Sequence, residues 1–360
     1  MRRAATFAGT EAVRLAAVAI GLVVSALVLA SIGQSPWESL RTLLEGAFGN
    51  EFALGQTLLK TIPLALTGLA VAVCLRMRLW NIGAEGQLHA GAIGASAAAL
   101  TFTTWPAGAL LPTMIGAAML AGALWAALAA IPRALWGVNE IITTLLLNYV
   151  AILAVAWLVT GPWRGEGNFP VSDPFPPGSR LPLLGWNVVH LGIAFPVVLA
   201  AVLVFVFARS RLGFEVRMLG ASPEAARVAG ISTARNVLVV MLTAGAIAGI
   251  AGMVEVAMSF GRLRQGISPG YGFMAIVIAA LAGASFVGTL FVAFLFAGFI
   301  VGSFALQTLG VPASFVLLLQ GIILFAALAG AYASDRRLLP FRTPRIASEG
   351  PTAKEEPSTP

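Results

Sequence analysis

A succession of apolar segments, each long enough to cross a lipid bilayer, constrains this chain more than any other feature. A bilayer core is about 30 Å thick and an α-helix rises about 1.5 Å per residue, so a run of roughly 20 apolar residues predicts a spanning helix. Hydrophobic residues make up 59% of the 360 residues and charged residues only 10%, whereas soluble proteins average about 45–50% and about 25%. The sequence therefore predicts an all-α polytopic membrane protein.

About ten transmembrane helices are expected from the apolar runs. They are predicted at residues 13–33, 56–75, 86–104, 107–131, 141–160, 188–208, 237–260, 272–286, 288–308 and 314–333. Only Gly283, Ser285 and Gly288 separate the two spans between 272 and 308. A single span there, and about nine spans in all, is the alternative.

The distribution of basic residues predicts which ends face the cytoplasm. Lys and Arg accumulate in short cytoplasmic loops, and a cytoplasmic N-terminus leaves most of the 22 Lys and Arg residues on that side. The proline-rich segment 161–187 is then an outer loop, and the segment 209–236 is the longest inner loop. Residues 1–333 form the predicted transmembrane domain, and residues 334–360 form a cytoplasmic tail whose composition predicts disorder. Topology thus accounts for the net charge of +7, and no nucleic-acid partner is expected.

No residue pattern indicates that the chain hydrolyses ATP or is an enzyme. The two lysines, Lys60 and Lys354, do not follow glycine, so the phosphate-binding pattern Gly-x-x-x-x-Gly-Lys-[Ser/Thr] is missing. There is a single cysteine, and the two histidines stand far apart, so neither a metal site nor catalytic residues are predicted. Interfaces aside, only Glu255 lies clearly within a predicted span, toward its outer end, and such a sparse set of ionisable residues disfavours an ion-coupled carrier.

A short helix is predicted inside the inner loop 209–236. Ser222 suits an N-cap, Pro223 the first helical position, and Gly230 a left-handed stop. A helix of about seven residues is unstable alone in water, so it is expected to pack against something. The residues between these signals are Glu224, Ala225, Ala226, Arg227, Val228 and Ala229. The small alanine face fits a groove on a cytoplasmic partner, and the alternative is a helix that lies on the bilayer surface.

Several segments resemble one family of transport proteins. Residues 224–231 resemble the Glu-Ala-Ala-x-x-x-Gly coupling helix of ABC importer permeases. Residues 81–87, Asn-Ile-Gly-Ala-Glu-Gly-Gln, resemble the signature of the permeases that import nucleosides, simple sugars and branched-chain amino acids. Further matches lie at 140–149 and 270–273, so the resemblance covers nearly all of the predicted spans. The match is closest to the nucleoside-type branch.

The resemblance implies the membrane-spanning permease subunit of an ATP-binding-cassette importer in the bacterial plasma (inner) membrane, taking up nucleosides. A simple-sugar importer of the ribose type is the first alternative, and an ion-coupled secondary transporter is the second. The implied partners are a cytoplasmic ATPase subunit that binds ATP and magnesium, a second permease subunit, expected to be a paralogue, and an external substrate-binding protein. No cofactor is expected on this chain, and the small-molecule substrate is left open.

Two sets of candidate site residues follow from the resemblance. The first set is expected to couple the permease to the ATPase: Ser222, Pro223, Glu224, Ala225, Ala226, Arg227 and Gly230. The second set is expected to line the translocation pathway: Asn81, Glu85, Gln87, Asn148, Tyr149, Glu255, Tyr271 and Phe273.

Each part of the expected pathway also has a purely structural interpretation. The segment 81–87 forms either a broken helix beside the pathway or a turn with helix caps. Asn148 suits hydrogen bonding between helices as well as contact with substrate. Glu255, followed by Arg262 and Arg264, forms either an outer gate or an ion pair that stabilises the outer loop.

Overall fold

The structure is a computed structural model that describes residues 2–167, 169–186 and 188–336. These residues are mostly helical and show only isolated β-bridges, which confirms the predicted all-α class. Their α-helices are α1 (Arg2–Ser31), α2 (Pro36–Phe48), α3 (Glu51–Leu75), α4 (Ala84–Thr101), α5 (Ala107–Trp136), α6 (Glu140–Thr160), α7 (Ala194–Arg209), α8 (Arg211–Ala221), α9 (Pro223–Val228), α10 (Thr233–Val254), α11 (Tyr271–Leu281), α12 (Phe286–Thr308) and α13 (Ala313–Arg336).

Among the described residues, six helices are long and apolar enough to cross a membrane. They are Glu51–Leu75, Ala107–Trp136, Glu140–Thr160, Leu191–Arg209, Thr233–Phe260 and Phe286–Thr308. The chain is therefore a multi-pass membrane protein, while the count of about ten spans stays a prediction. At about 16 Å, the 11-residue helix α11 is too short to cross a bilayer alone.

The first predicted span is followed by a helix that the sequence analysis placed in a loop. Residues 19–31 of α1 and the helix α2 meet at a bend of 115° and together form either a broken span or a re-entrant loop. The start of α2 has clear local causes. Ser35 accepts a hydrogen bond from the backbone amide of Glu38, and Pro36 occupies the first turn.

The helices α3 and α10 lie at the centre of the bundle. Within their most apolar stretches, 78% of the residues of α3 and 72% of those of α10 are buried, against 22% for α6. Small residues allow the neighbouring helices to approach at backbone distance. A Cβ atom added to Gly249 of α10 would lie 2.2 Å from the carbonyl oxygen of Ala118 in α5. On the other side, a Cβ on Gly91 of α4 would lie 2.2 Å from the Cα atom of Gly249.

Two segments mark the opposite ends of the bundle. The long loop, residues 209–236, contains α8 and α9 and joins the end of α7 to the start of α10. The proline-rich loop, residues 161–187, packs on the segment that follows α10, since Ser172 and Phe175 donate backbone hydrogen bonds to Leu263 and Gly261. The predicted tail begins inside α13, which reaches Arg336, and residues 337–360 lie outside the described part of the chain.

Replacing Gly249 by alanine should destabilise the protein by about 1–3 kcal/mol, because the new methyl group has no room between α5 and α10. The matched control is Gly116→Ala in α5, where no atom lies within 4 Å of the added Cβ. Alanine favours a helix over glycine by about 1 kcal/mol, so this control should keep or raise stability. Thermal unfolding of the purified protein in detergent measures both, and equal melting temperatures would contradict the close approach.

Candidate functional site

The short helix predicted in the long loop is present as α9. It spans Pro223–Val228, with the hydroxyl of Ser222 accepting a hydrogen bond from the amide of Ala225 at 3.2 Å. Gly230 follows with a φ of 75°, a left-handed conformation that suits glycine. The start and stop signals of the sequence therefore place this helix correctly.

The surface of α9 differs from the alanine face expected from the sequence. Ala226 is fully buried against the chain itself, so it fixes α9 to the bundle and is not available to a partner. Glu224, Ala225 and Arg227 are exposed, and Val228 is 91% exposed. Val228 was absent from the predicted coupling residues, because the sequence alone does not show which side of so short a helix faces outward.

A buried carboxylate ties the long loop to the start of α10. Glu215 of α8 accepts hydrogen bonds from Asn236 Nδ2 at 2.8 Å and from Arg211 Nε at 2.7 Å. These hydrogen bonds, that of Asn236 foremost, lower the pKa of the Glu215 carboxyl below its ordinary value of 4.5. Asn236 lies one turn inside α10, so α8 and α10 are joined across the loop that carries α9.

The long loop also packs on the end of α3. A side chain at Gly220 would collide with the carbonyl oxygen of Arg76. The guanidinium of Arg76 donates to the carbonyl oxygen of Ala284 at 3.1 Å and lies 4.2 Å from the ring centroid of Phe286. Ala284, with a φ of 56°, stands in the turn between α11 and α12. The end of α3 thereby connects the long loop to the turn that follows the C-terminal end of α11.

The segment 81–87 lies inside the bundle rather than at its end. The amides of Asn81 and Gln87 exchange two hydrogen bonds of 3.0 Å, and the backbone amide of Gly83 donates to Asn81 Oδ1. Asn81, Glu85 and Gln87 are all buried. The side chains therefore satisfy one another and the backbone where α4 begins, as a helix break within a membrane requires.

Asn148 of α6 bonds the segment 81–87 from within the bundle. It lies eight residues into α6, about 12 Å from the start of that helix. Its Oδ1 accepts from the amide of Gly86 at 2.8 Å, and its Nδ2 donates to the carbonyl oxygen of Ile82 at 2.8 Å. Both of its polar atoms are used within the chain, which favours the helix-pairing role over substrate contact. Its neighbour Tyr149 is 59% exposed on the outside of the bundle.

Two motifs that are far apart in the sequence meet at the starts of α4 and α11. Glu85 Oε2 accepts a hydrogen bond of 2.7 Å from the amide of Gly272. A Cβ on Gly272 would lie 2.1 Å from the backbone nitrogen of Glu85, so only glycine fits there. Tyr271 is fully buried beside this contact, whereas Phe273 is 38% exposed.

Glu255 pairs with a different cation from those considered in the sequence analysis. Its Oε1 lies 3.9 Å from Lys60 Nζ, whereas Arg264 lies over the ring of Phe260 at 4.4 Å. The predicted span 56–75 leaves Lys60 near its edge, but α3 begins at Glu51. Lys60 is thus about 14 Å from the start of α3, well inside the helix.

The candidate residues form hydrogen bonds and ion pairs within the bundle and an exposed surface on α9. In the part of the chain that the structure describes, no group of three or more His, Cys, Asp and Glu residues could hold a metal ion. The site consists instead of two parts: the exposed helix α9, and a buried polar cluster around Lys60, Glu85, Glu255 and Tyr271.

Comparison with known proteins identifies what the chain is similar to. Residues 53–328 match the family model described as branched-chain amino acid transport system / permease component. The chain is 38% identical over 323 residues to a glucose ABC transporter permease of Haloferax volcanii, covering 86% of this chain and 84% of that protein. It is 33% identical over 276 residues to a guanosine ABC transporter permease of Bacillus subtilis, covering 75% and 79%. It is 29% identical over 327 residues to a nucleoside ABC transporter permease of Lactococcus lactis, covering 87% and 89%. No solved structure matches the chain.

The hydrogen bonds of Asn148 predict a structural defect in the Asn148→Ala variant. The amide of Gly86 and the carbonyl of Ile82 would each lose a buried partner, at a cost of about 1–3 kcal/mol per group. The melting temperature of the purified protein should therefore fall, and that of the control Tyr149→Phe, on the exposed neighbour, should not. An unchanged melting temperature with slower transport would instead assign Asn148 to substrate contact.

Proposed function

Because the chain belongs to the family of branched-chain amino acid transport system permease components and is a permease of an ABC importer, we propose that its cargo is a nucleoside. Two of the similar proteins above are a guanosine and a nucleoside permease. A simple sugar is the second candidate, since another similar protein is a glucose permease. The observation that carries the coupled mechanism is α9, a helix whose outer residues are exposed while Ala226 is buried against the chain, next to α8, which Glu215 ties to α10.

The proposed assembly contains two permease subunits, two cytoplasmic ATPase subunits and an external binding protein. This chain carries no phosphate-binding loop, so ATP and magnesium are assigned to the ATPase. The partner permease is proposed to be a paralogue. The residues that contact the ATPase are Glu224, Ala225, Arg227 and Val228, with Ser222, Pro223, Ala226 and Gly230 shaping the helix that presents them.

The proposed topology has ten spans, with both termini in the cytoplasm of a bacterium and the protein in its plasma membrane. The bent pair of α1 and α2 counts as one span, α4 and α13 add two more, and the short α11 completes the set together with the non-helical segment 261–270 that precedes it. The long loop is then cytoplasmic, as contact with an ATPase requires, and the proline-rich loop faces outward. The positive-inside distribution of Lys and Arg supports this orientation.

Uptake by the reconstituted complex tests the proposed function. Proteoliposomes that contain the permease pair and ATPase, supplied with the binding protein, should accumulate radiolabelled guanosine when ATP is enclosed on the ATPase side. Vanadate should abolish this uptake, and dissipation of ion gradients should leave it unchanged. Uptake that collapses with the gradient would identify an ion-coupled carrier, and ATP-driven uptake of glucose or ribose without guanosine would identify the sugar alternative.

Substitution of the most exposed residue of α9 tests the docking role. Val228→Asp should lower the amount of ATPase that co-purifies with the permease by about tenfold or more, as expected for loss of a central apolar contact. The matched control is Leu183→Asp, which changes another exposed apolar residue in the proline-rich loop at the opposite end. Because Val228 is exposed, both variants should keep the parental melting temperature. Full ATPase binding by the Val228→Asp protein would refute docking through this face.

A further inference from the structure

A set of polar and charged side chains converges from three helices inside the bundle. Lys60 lies on α3, Glu255 where α10 changes to a π-helical turn, and Tyr271 at the first residue of α11. The Lys60 ammonium lies 3.9 Å from Glu255 Oε1 and 5.5 Å from the centroid of the Tyr271 ring. We call these three residues the central cluster. Ionisable groups at such depth are costly and mark functional sites.

The central cluster contains hydrogen-bonding capacity that the chain does not use. Glu255 Oε2 and the hydroxyl of Tyr271 are buried and have no hydrogen-bond partner among the described residues. Glu255 is 1% exposed and Tyr271 is 0% exposed, whereas an unsatisfied buried polar group costs about 1–3 kcal/mol. Lys60 lies on the other carboxylate oxygen, Oε1, and leaves this second oxygen without a partner. The two unpaired atoms are one acceptor and one hydroxyl, so they are suited to a ligand that offers hydroxyl groups.

We propose that the central cluster is a hydroxyl-binding site for the cargo, in which Glu255 and Tyr271 pair with the vicinal hydroxyls of a ribose or pyranose ring and Lys60 donates to one of them. This assignment rests on the proposed function, since nucleosides and simple sugars share such a diol. The two oxygens of one carboxylate match two neighbouring hydroxyl donors. The Lys60–Glu255 pair is neutral as a whole, so it binds an uncharged cargo without leaving a net charge in the membrane.

The helix interruptions around the cluster agree with this role. In secondary transporters, substrate sites are formed where membrane helices are interrupted. Three interruptions meet here: the π-helical turn Glu255–Phe260, the start of α11, and the start of α4, whose Glu85 contacts Gly272. A π-helical turn within an α-helix is itself frequent at functional sites.

The cluster is closed in this structure, and the chain provides a means to open it. The side chain of Lys60 is 27% exposed and that of Glu255 only 2%, so access is from the Lys60 side. Glu255 and Tyr271 lie on either side of the connection 261–270, which holds Gly261 and Gly270 at positive φ values of 64° and 99°. Glycines at such positions can absorb the backbone change of a hinge. Movement of this connection away from α3 would separate Lys60 from Glu255 and admit a diol between them.

Transport of paired substrates by the full complex in proteoliposomes tests the proposal. The external binding protein also selects cargo, so the measured quantity is the maximal uptake rate at saturating, loaded binding protein. The probes are guanosine and 2′,3′-dideoxyguanosine, or glucose and 2-deoxyglucose if the cargo is a sugar. The parental complex should transport the hydroxylated probe faster than its deoxy analogue by about tenfold, the effect of one charge-assisted hydrogen bond.

Glu255→Gln and Tyr271→Phe should each reduce this ratio toward one by slowing only the hydroxylated probe. Tyr271→Phe removes a single oxygen atom that the protein does not bond, so it keeps the packing and provides a test even if Glu255→Gln fails to assemble. The matched control, Glu140→Gln, breaks another ion pair, in which Arg133 Nε lies 3.2 Å from Glu140 Oε2. This control should keep the parental ratio, whatever its absolute rate.

The outcomes separate this proposal from the proposed function. If the parental complex transports both probes and the Tyr271→Phe and Glu255→Gln complexes keep the parental ratio, the central cluster is a structural ion pair and the diol site is refuted, while the importer function stands. If the parental complex shows no ATP-driven uptake of either probe pair, the proposed function fails and the diol site fails with it.

Discussion

The structure depends on the pairing of backbone groups where helices begin or break inside the bundle. A peptide group that leaves a helix at membrane depth has no water to bond, so protein atoms must satisfy it. At the start of α4 this is done by Asn81, Gln87 and Asn148, and at the start of α11 by the carboxylate of Glu85, which accepts from Gly272. These contacts fix the relative positions of α4, α6 and α11, and the contact of Glu85 with Gly272 holds the start of α11, where Tyr271 lies.

The same framework connects the loop that carries a small helix at one end of the bundle to a cluster far from it. The long loop is tied to the start of α10 by Glu215 and Asn236, and the far end of α10 carries Glu255. The loop also packs on Arg76, which bonds Ala284 near the base of α11, and the first residue of α11 is Tyr271. Helices transmit displacement along their length because their hydrogen bonds are internal. The helices α10 and α11 therefore provide two physical connections between the long loop and the two unpaired groups of the central cluster.

Much of this arrangement was predictable from local sequence signals. The caps and the stop of α9 were found because Ser222, Pro223 and Gly230 act through their own backbone geometry. The same kind of signal stands at Ser35 and Pro36, yet α2 was missed because spans were assigned from apolar runs, and α2 is short and contains Glu38 and Arg41. Local signals of this kind predict where a helix begins whatever surrounds it.

The contacts between distant segments were not predictable in this way. Glu255 was matched with the nearby Arg262 and Arg264, whereas its partner is Lys60, almost two hundred residues away. The inward orientation of Ala226 and the exposure of Val228 likewise depend on how α9 sits on the bundle, which the loop sequence does not contain. The sequence shows Glu85 and Gly272 only as parts of two separate motifs. Their contact depends on tertiary packing, which is so close there that only glycine fits at position 272.

The sparse charge inside the bundle agrees with an importer that takes its energy from a partner. An ion-coupled carrier needs intramembrane groups whose net charge changes as the ion binds and leaves. Lys60 and Glu255 instead stand close enough to neutralise each other, so they can meet an uncharged cargo without a compensating ion. If the central cluster binds cargo, the work of separating them is supplied by a partner of the chain. In this fold, the long loop is the place where that work can enter, because α9 has an exposed face and the neighbouring α8 is tied to α10.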